Sequence, residues 1–556
     1  MMQMTRVKLL LGMLAMTALL VAAVLLGSPY APLVEPAVEI EEIWAIEDAR
    51  EESDEPLVTE LENRGVPLAY DAQSNTFYCT LGLENGDEWP DVHLHAPDAA
   101  GVKLVFVDDY SYDWCADAIR DGYPYQVMAY TDEKFWYFDL VFTGLTQVCI
   151  QSDEVLDKQD HPARVSVITP QGALVSNART HYRGGVTAQF EKHPYRVEFT
   201  RTGDGRRKTM MEVPTLGQME QFVLIPMWYD NDFLRDRLSW TIYGEMVGAD
   251  APYGARRHAY VELFVNDQYE GVYLLLEPYD HEAEIAKTGA LHVQTDSVYA
   301  TYPMRYAEQD RPTIEDKLVK DYGYALHHPA LGRGAFDGIS DYIEICAEAD
   351  DEVFVRRVLE QVDLDSLLRY QLILQSFGLG DNVLNNQFIW AVGGEGKTKY
   401  RFIPWDMDMS WGENDHIEWI REDYDGWMYF AMADRLLNLN PDGVRERWAK
   451  MWQQLREDIL TQENIEQKVM RYSAELNDSG AIVRNALRWN KDHSVSDPYE
   501  IINYTSMRFD ILDRTVAYIA GEPGDIPMLI YDDPQAESGQ IYGFDGREKE
   551  EQAQWE

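Results

Sequence analysis

The stretch at residues 378–412, GLGDNVLNNQFIWAVGGEGKTKYRFIPWDMDMSWG, constrains the fold more than any other. Two apolar, strand-forming runs, 387–392 and 400–405, are separated by Gly393, Gly394 and Gly396, a turn signal. A polar cluster flanks each end: Asp381 to Asn386 before the first run, Asp406-Met407-Asp408 after the second. The pattern predicts a loop, a hairpin, and a second acidic loop returned beside the first. Asp381, Asn386 and Asp406 would then lie within reach of one another. Two carboxylates and an amide oxygen are hard ligands that suit magnesium carried with phosphate. Asp and Asn are also the residues that cap turns, with Pro404-Trp405 packing in a core. The stretch by itself leaves both readings open.

The remaining chain must supply a large folded body. Its 556 residues exceed one ordinary domain, and roughly two to four domains is the expectation for that length. Asp and Glu number 97 against 48 Lys and Arg, a net charge of −49. Such a surface repels phosphate backbones and anionic lipid, which argues against nucleic acid as a partner. A nucleotide pocket stays possible, because local Lys and Arg with a divalent metal offset the global field. The acidity keeps the chain soluble and suits cations or basic partners. Cys79, Cys115, Cys149 and Cys346 form no C-x-x-C pair, so zinc is not expected. One disulfide among the first three and buried free thiols are both compatible with the sequence.

Residues 1–27 carry Arg6 and Lys8 ahead of an uncharged, mostly apolar run from Leu9 to Leu26. That run is just long enough to span a bilayer. It is read as a signal anchor with its basic end inside and the bulk of the chain outside, a cleaved signal peptide being the alternative. Residues 28–60 read as an acidic tether. Residues 61–155 are rich in β-formers and are expected to make a small β-sandwich-like accessory module. Within it, Asp108 to Asp113 mixes acids with tyrosines. Calcium or carbohydrate binding there competes with a polar loop over an aromatic core, and no Asp-x-Asp-x-Asp-Gly loop supports calcium. Residues 526–556 read as an acidic tail.

The main domain is placed at 163–525. Strands near 165–168 and 178–182 lead into Arg183-Gly184-Gly185, a tight turn, with Lys192 beyond it. A phosphate cradle needs backbone N–H groups and one cation, but ordinary hairpins hold the same residues. A helix is expected over 229–248, with Asp232 as its N-cap. A hairpin, 258–266 and 269–276, joined at Asn266-Asp267, exits at Glu277. Glycine turn, Lys strand, helix, hairpin and extended exit is the order of a kinase small lobe ending at the adenine hinge. Asp381-x-x-x-x-Asn386 followed by Asp406 after a hairpin is likewise the layout of a kinase catalytic loop and metal-binding Asp, although His-Arg-Asp and Asp-Phe-Gly are absent. Residues 351–377 read as helical, and 427–438, 445–459, 463–489 and 499–521 as four more helices.

Five motifs in order carry a resemblance. They are Arg183-Gly184 with Lys192-His193-Pro194-Tyr195-Arg196; Asp232-x-Leu234-Arg235; Val261-x-Leu263-Phe264-Val265-Asn266 running into Glu270 to Glu277; Asp381-x-x-x-Asn385-Asn386; and Ile403-Pro404-Trp405-Asp406-Met407-Asp408. Together they resemble the CotH kinase family of atypical kinases. The resemblance implies an α+β chain: a divergent protein-kinase-like two-lobed domain preceded by the small all-β accessory module. It implies ATP-dependent phosphorylation of Ser or Thr on a surface or coat protein, with Mg2+ or Mn2+. Asp381 would be the catalytic Asp, and Asn386 and Asp406 would hold metal. Asp408 would ligate metal or cap the loop. Lys192 would neutralise the α/β-phosphates, Arg183, Gly184 and Gly185 would form the phosphate-facing turn, and Glu277 would lie at the nucleotide hinge. Gly185-Val186-Thr187 departs from the Asn-Ser that the family often shows after Arg-Gly. The full expectation is a membrane-anchored, extracytoplasmic kinase with a protein substrate. Its alternative is a non-catalytic cell-envelope or spore-coat assembly protein on the same fold.

Overall fold

The computed structural model describes residues 34–35, 40–83, 92–107, 115–184, 187–203, 205, 207–248, 254–279, 291–295, 324–328, 341–342, 344–346, 348, 350–383, 386–392, 399–412, 427–428 and 430–521. Helices and strands are mixed throughout, so the class is α+β. The chain separates into two compact units. The first takes residues up to Trp228 with Arg257–Glu277 and Tyr472–Ser496; the second takes Tyr229–Arg256, Pro278–Arg471 and the chain from Asp497.

The first unit opens with a seven-stranded mixed sheet. Its centre is the long strand Lys134–Thr143, which pairs antiparallel with Tyr125–Tyr130 and parallel with Thr76–Thr80. One face buries Phe77, Leu104, Phe106, Val127, Phe138 and Leu140. The helix Cys115–Asp121 adds Ala118 and Ile119 to that core, so this region is not purely β as expected. All four cysteines are free thiols, which resolves the disulfide question. Residues 108–113 lie outside the described residues.

The strand Thr146–Gln151 (β1), expected in the accessory module, instead starts a closed seven-stranded barrel. The others are His161–Thr169 (β2), Gly172–Tyr182 (β3), Tyr195–Thr200 (β4), Gln221–Ile225 (β5), His258–Val265 (β6) and Tyr269–Leu276 (β7). The order is β1-β2-β3-β4-β5-β7-β6, closed by a parallel pairing of β1 with β6. Alternation drives closure: Val165, Val167, Ala178, Val197 and Phe199 face inward, with polar residues between them facing out. The β6–β7 turn puts Asn266 and Asp267 at positive φ, +50° and +57°, as a two-residue hairpin turn requires.

The second unit holds a four-stranded sheet of Leu291–Thr295 (β8), Tyr324–His328 (β9), Gln387–Val392 (β10) and Lys399–Pro404 (β11), in the order β9-β8-β10-β11. The expected 387–405 hairpin is thus present, paired from Gln387–Pro404 to Val392–Lys399. The region 351–377 is two helices, Asp351–Gln361 and Leu364–Phe377, rather than one. Asp363 breaks it by accepting from Ser366 N as a fresh N-cap.

The membrane-anchored, extracytoplasmic expectation is corrected here. Among the described residues no helix is long and apolar enough to cross a membrane. Tyr499–Gly521 has the length, but it carries Glu500, Arg508, Asp510, Asp513 and Arg514, too many charges for a hydrocarbon core. The apolar run at 9–26 lies outside the described residues.

Candidate active site

In the second unit, the helix Leu364–Phe377 ends at Gly378, whose φ is +72°. A Cβ there would overlap the Tyr504 hydroxyl, so the position needs glycine on two counts. Asp381–Val383 then form one tight 3-10 turn. The buried Asn382 holds this turn to the hairpin: its amide donates to Asn386 O at 2.8 Å and Trp405 O at 2.7 Å. Trp405 N also donates to Asn386 O at 2.9 Å. The entry to β10 and the exit from β11 are therefore locked side by side. Asn386 Nδ2 donates to Asp381 Oδ2 at 2.6 Å. Asp406 follows Trp405 directly. Both Asn386 and Asp406 sit at positive φ, +49° and +54°, which Asn and Asp tolerate better than most side chains.

The electrostatics are one-sided. Burial, and then the neighbouring carboxylates of Asp406, Asp236, Asp381 and Asp230, push the Asp408 carboxyl well above its ordinary value. Asp236 faces the same loop, accepting from Met407 N at 3.3 Å. A fully buried guanidinium, Arg235, provides positive charge behind it. It pairs with Asp230 at 2.6 Å and Glu500 at 2.8 Å, and donates to Ser410 O at 3.1 Å. The helix carrying it is Arg235–Val247, shorter at its start than expected; Leu234 holds the N-cap position, and Asp230, not Asp232, accepts from Arg235 N. Asp232 is pushed up to about 6 by burial and by Asp230.

Such a concentration of negative charge suits a hard divalent cation. Among the described residues no three Asp, Glu, His or Cys side chains gather closely enough to hold an ion by themselves. Magnesium that travels with a nucleotide needs only one or two protein carboxylates, with phosphate oxygens and water completing the shell. By donor chemistry, Asp406 with Asn386 fits that role, and Asp408 stands two residues away.

The residues expected to contact nucleotide lie in the first unit. Arg183 and Gly184 follow β3, where Arg183 N donates to Pro194 O at 3.0 Å and closes the loop to β4. Gly184 has φ +82°, and a Cβ there would strike Thr187 Oγ1. Gly185 lies outside the described residues. Lys192 is 1% exposed. Its ammonium donates to Pro226 O at 2.9 Å, Val272 O at 2.6 Å and Asn485 Oδ1 at 2.9 Å, and lies 4.6 Å from the Tyr273 ring centre. Burial pulls its pKa well down and the Glu270 carboxylate opposes this. The three acceptor oxygens favour the charged form. Glu277 is held by Arg257 through bonds of 2.9 and 2.6 Å, and Arg257 also donates to Leu216 O and Gln218 O.

Reading the sequence had missed Asp230 and Asp236. Their signal was present: Tyr229-Asp230-Asn231-Asp232 runs into Arg235-Asp236 at the head of a helix that carries Leu238, Trp240, Ile242 and Met246. A family model described as CotH kinase protein matches residues 180–511. Inner spore coat protein H of Bacillus subtilis (strain 168) is 25% identical over 294 residues, 52% of this chain and 74% of that protein. The motifs quoted above fall inside the matched span, which takes in more than half of the sequence, and the chain belongs to the CotH kinase family.

Proposed function

We propose that this chain is an ATP-dependent protein Ser/Thr kinase of the CotH type, acting on a coat protein. The observation that carries this reading is the Asn386–Asp381 bond with Asp406 returned beside it by the β10–β11 hairpin. Asp381 would accept a hydrogen bond from the substrate hydroxyl and take its proton as the oxygen attacks the γ-phosphorus and the bond to the β,γ-bridging oxygen breaks. Asn386 would hold the Asp381 carboxylate in one orientation. Asn386 and Asp406 would ligate Mg2+ or Mn2+, with Asp408 as a further oxygen or a neutral cap. A divalent ion there would offset charge on the transferring phosphate. The kinase-like two-lobed arrangement belongs to the same proposal. So do the nucleotide contacts expected of Arg183, Gly184, Gly185, Lys192 and Glu277; to serve, Lys192 would trade its protein acceptors for phosphate oxygens. The Bacillus relative is by its name a spore coat protein, and the proposed substrate is taken from that setting.

The test is transfer from γ-labelled ATP by the full chain with magnesium or manganese, beside Asp381→Ala and Asp406→Ala. Label that falls at least about a hundredfold in both variants supports the proposal; undiminished label in Asp381→Ala refutes it. A second reading, a non-catalytic coat-assembly protein, is favoured by one observation, the engagement of the Lys192 ammonium with protein acceptors. Calorimetry showing no ATP binding to the wild-type chain would decide for it.

A further inference from the structure

The outer face of the barrel runs against the charge of the whole protein. Outward positions on β2, β3 and β4 line up in cross-strand rows. Arg164 lies opposite Asn177 and Asn177 opposite Thr200; two residues along, Arg179 lies opposite Glu198; the next row pairs His181 with Arg196. Beyond β4 the chain turns back, Arg201 N donating to Arg207 O and Thr209 N to Phe199 O. Two adjoining hollows result. The basic lining of the smaller, about 220 Å³, is largely paired with carboxylates: Arg179 pairs with Asp160 and Glu198, and Lys208 pairs with Glu198 at 2.7 Å. That of the larger, about 610 Å³, is not. Arg164 and Arg201 line it, both exposed, and neither pairs with a carboxylate among the described residues. Among the described residues no acid lines it; Asn177 and Thr209 add polar groups, and Val175 and Met211 add apolar wall.

Two uncommitted guanidiniums on one groove, in a protein of net charge −49, call for an anionic ligand. Guanidinium forks match the oxygens of a phosphomonoester, and the apolar walls and volume leave room for the chain that carries it. A long polyanion is disfavoured. Screening confines the patch's influence to about 8 Å at physiological salt, and a nucleic acid would run on into the acidic surroundings. We propose that the groove between Arg164 and Arg201 binds a phosphoserine- or phosphothreonine-bearing peptide segment. The site lies wholly in the barrel unit and requires no phosphate transfer by this chain.

The test uses the full chain without nucleotide and a fluorescent decapeptide of Gly and Ser with one central phosphoserine. Binding is read by anisotropy, beside the unphosphorylated twin and a single-stranded DNA oligonucleotide. The phosphopeptide should bind at least tenfold tighter than its twin, weaken with added salt, and lose at least tenfold in affinity in Arg164→Ala/Arg201→Ala. Because both side chains are exposed, the double variant should keep the wild-type melting temperature. Equal binding of the two peptides, no binding of either, an unaffected double variant, or DNA binding as tight as the phosphopeptide would each overturn the proposal.

Discussion

Replacing Lys192 with Met separates two roles for one side chain. In the structure its ammonium meets Pro226 O, Val272 O and Asn485 Oδ1, all inside the barrel unit. Methionine matches the volume and offers no donor. Asn485 Oδ1 would keep a bond from Val272 N at 3.1 Å, and Glu270 would keep Arg488 at 3.3 Å, so neither is stranded. The two carbonyls lose this donor in a buried site, at about 1–3 kcal/mol each. Loss of the ring contact and of attraction to Glu270 brings the total to about 3–5 kcal/mol, the range for breaking a buried charged cluster. At roughly 2–4 °C per kcal/mol for a domain of this order, the barrel transition should fall by on the order of 10 °C. Scanning calorimetry on the full-length Lys192→Met variant reads this directly, and Asn485→Ala should move the same transition by a smaller amount. A Lys192→Met protein that melts within about 2 °C of wild type, yet loses ATP binding, would refute the reasoning. Lys192 would then be a ligand group rather than a structural one.

Asp232 titrates near 6 when folded, against an ordinary value of 3.8. Between those values the folded state keeps a proton that the unfolded state releases, so stability should fall as pH rises through that window. About 3 kcal/mol would be forfeited by pH 7, and Asp232→Asn should flatten the curve in urea titrations at pH 4, 5, 6 and 7; an unchanged slope would contradict the assignment. Gly378→Ala should lower stability by at least about 1 kcal/mol through left-handed strain and the Tyr504 hydroxyl. Adding Tyr504→Phe should recover the steric share but not the backbone share, which denaturant midpoints would separate.

Local pattern carried far in this chain. Two apolar runs about a glycine-rich interval were enough to predict the strand pair that returns Asp406 toward Asp381 and Asn386, because a hairpin's ends are set by its pairing. The Asn266-Asp267 turn was legible for the same reason. What stayed hidden was long-range burial. Arg235 lies on the helix face of Leu238, Ile242 and Met246, but its partners Ser410 O and Glu500 come from stretches 175 and 265 residues away, which no local pattern announces. The fate of Lys192 depended on Asn485, 293 residues away. Barrel closure by β1 and β6 pairs strands more than a hundred residues apart, with no marker in either. The apolar run near the start suggested a membrane address that the described helices do not support.

The cap on Lys192 has a consequence for how the chain is made. Asn485 belongs to the helix Ala481–Trp489, which packs on β7, and Trp489 Nε1 donates to Glu270 O. On a ribosome, the seven barrel strands emerge by residue 276, but the helix that supplies the Asn485 acceptor for Lys192 follows some two hundred residues later. During that interval the nascent barrel holds a lysine with one acceptor missing and a sheet face uncovered. The first unit therefore matures only after most of the second has been synthesised, which makes the order of assembly non-sequential and leaves early truncation products the most exposed to aggregation and proteolysis.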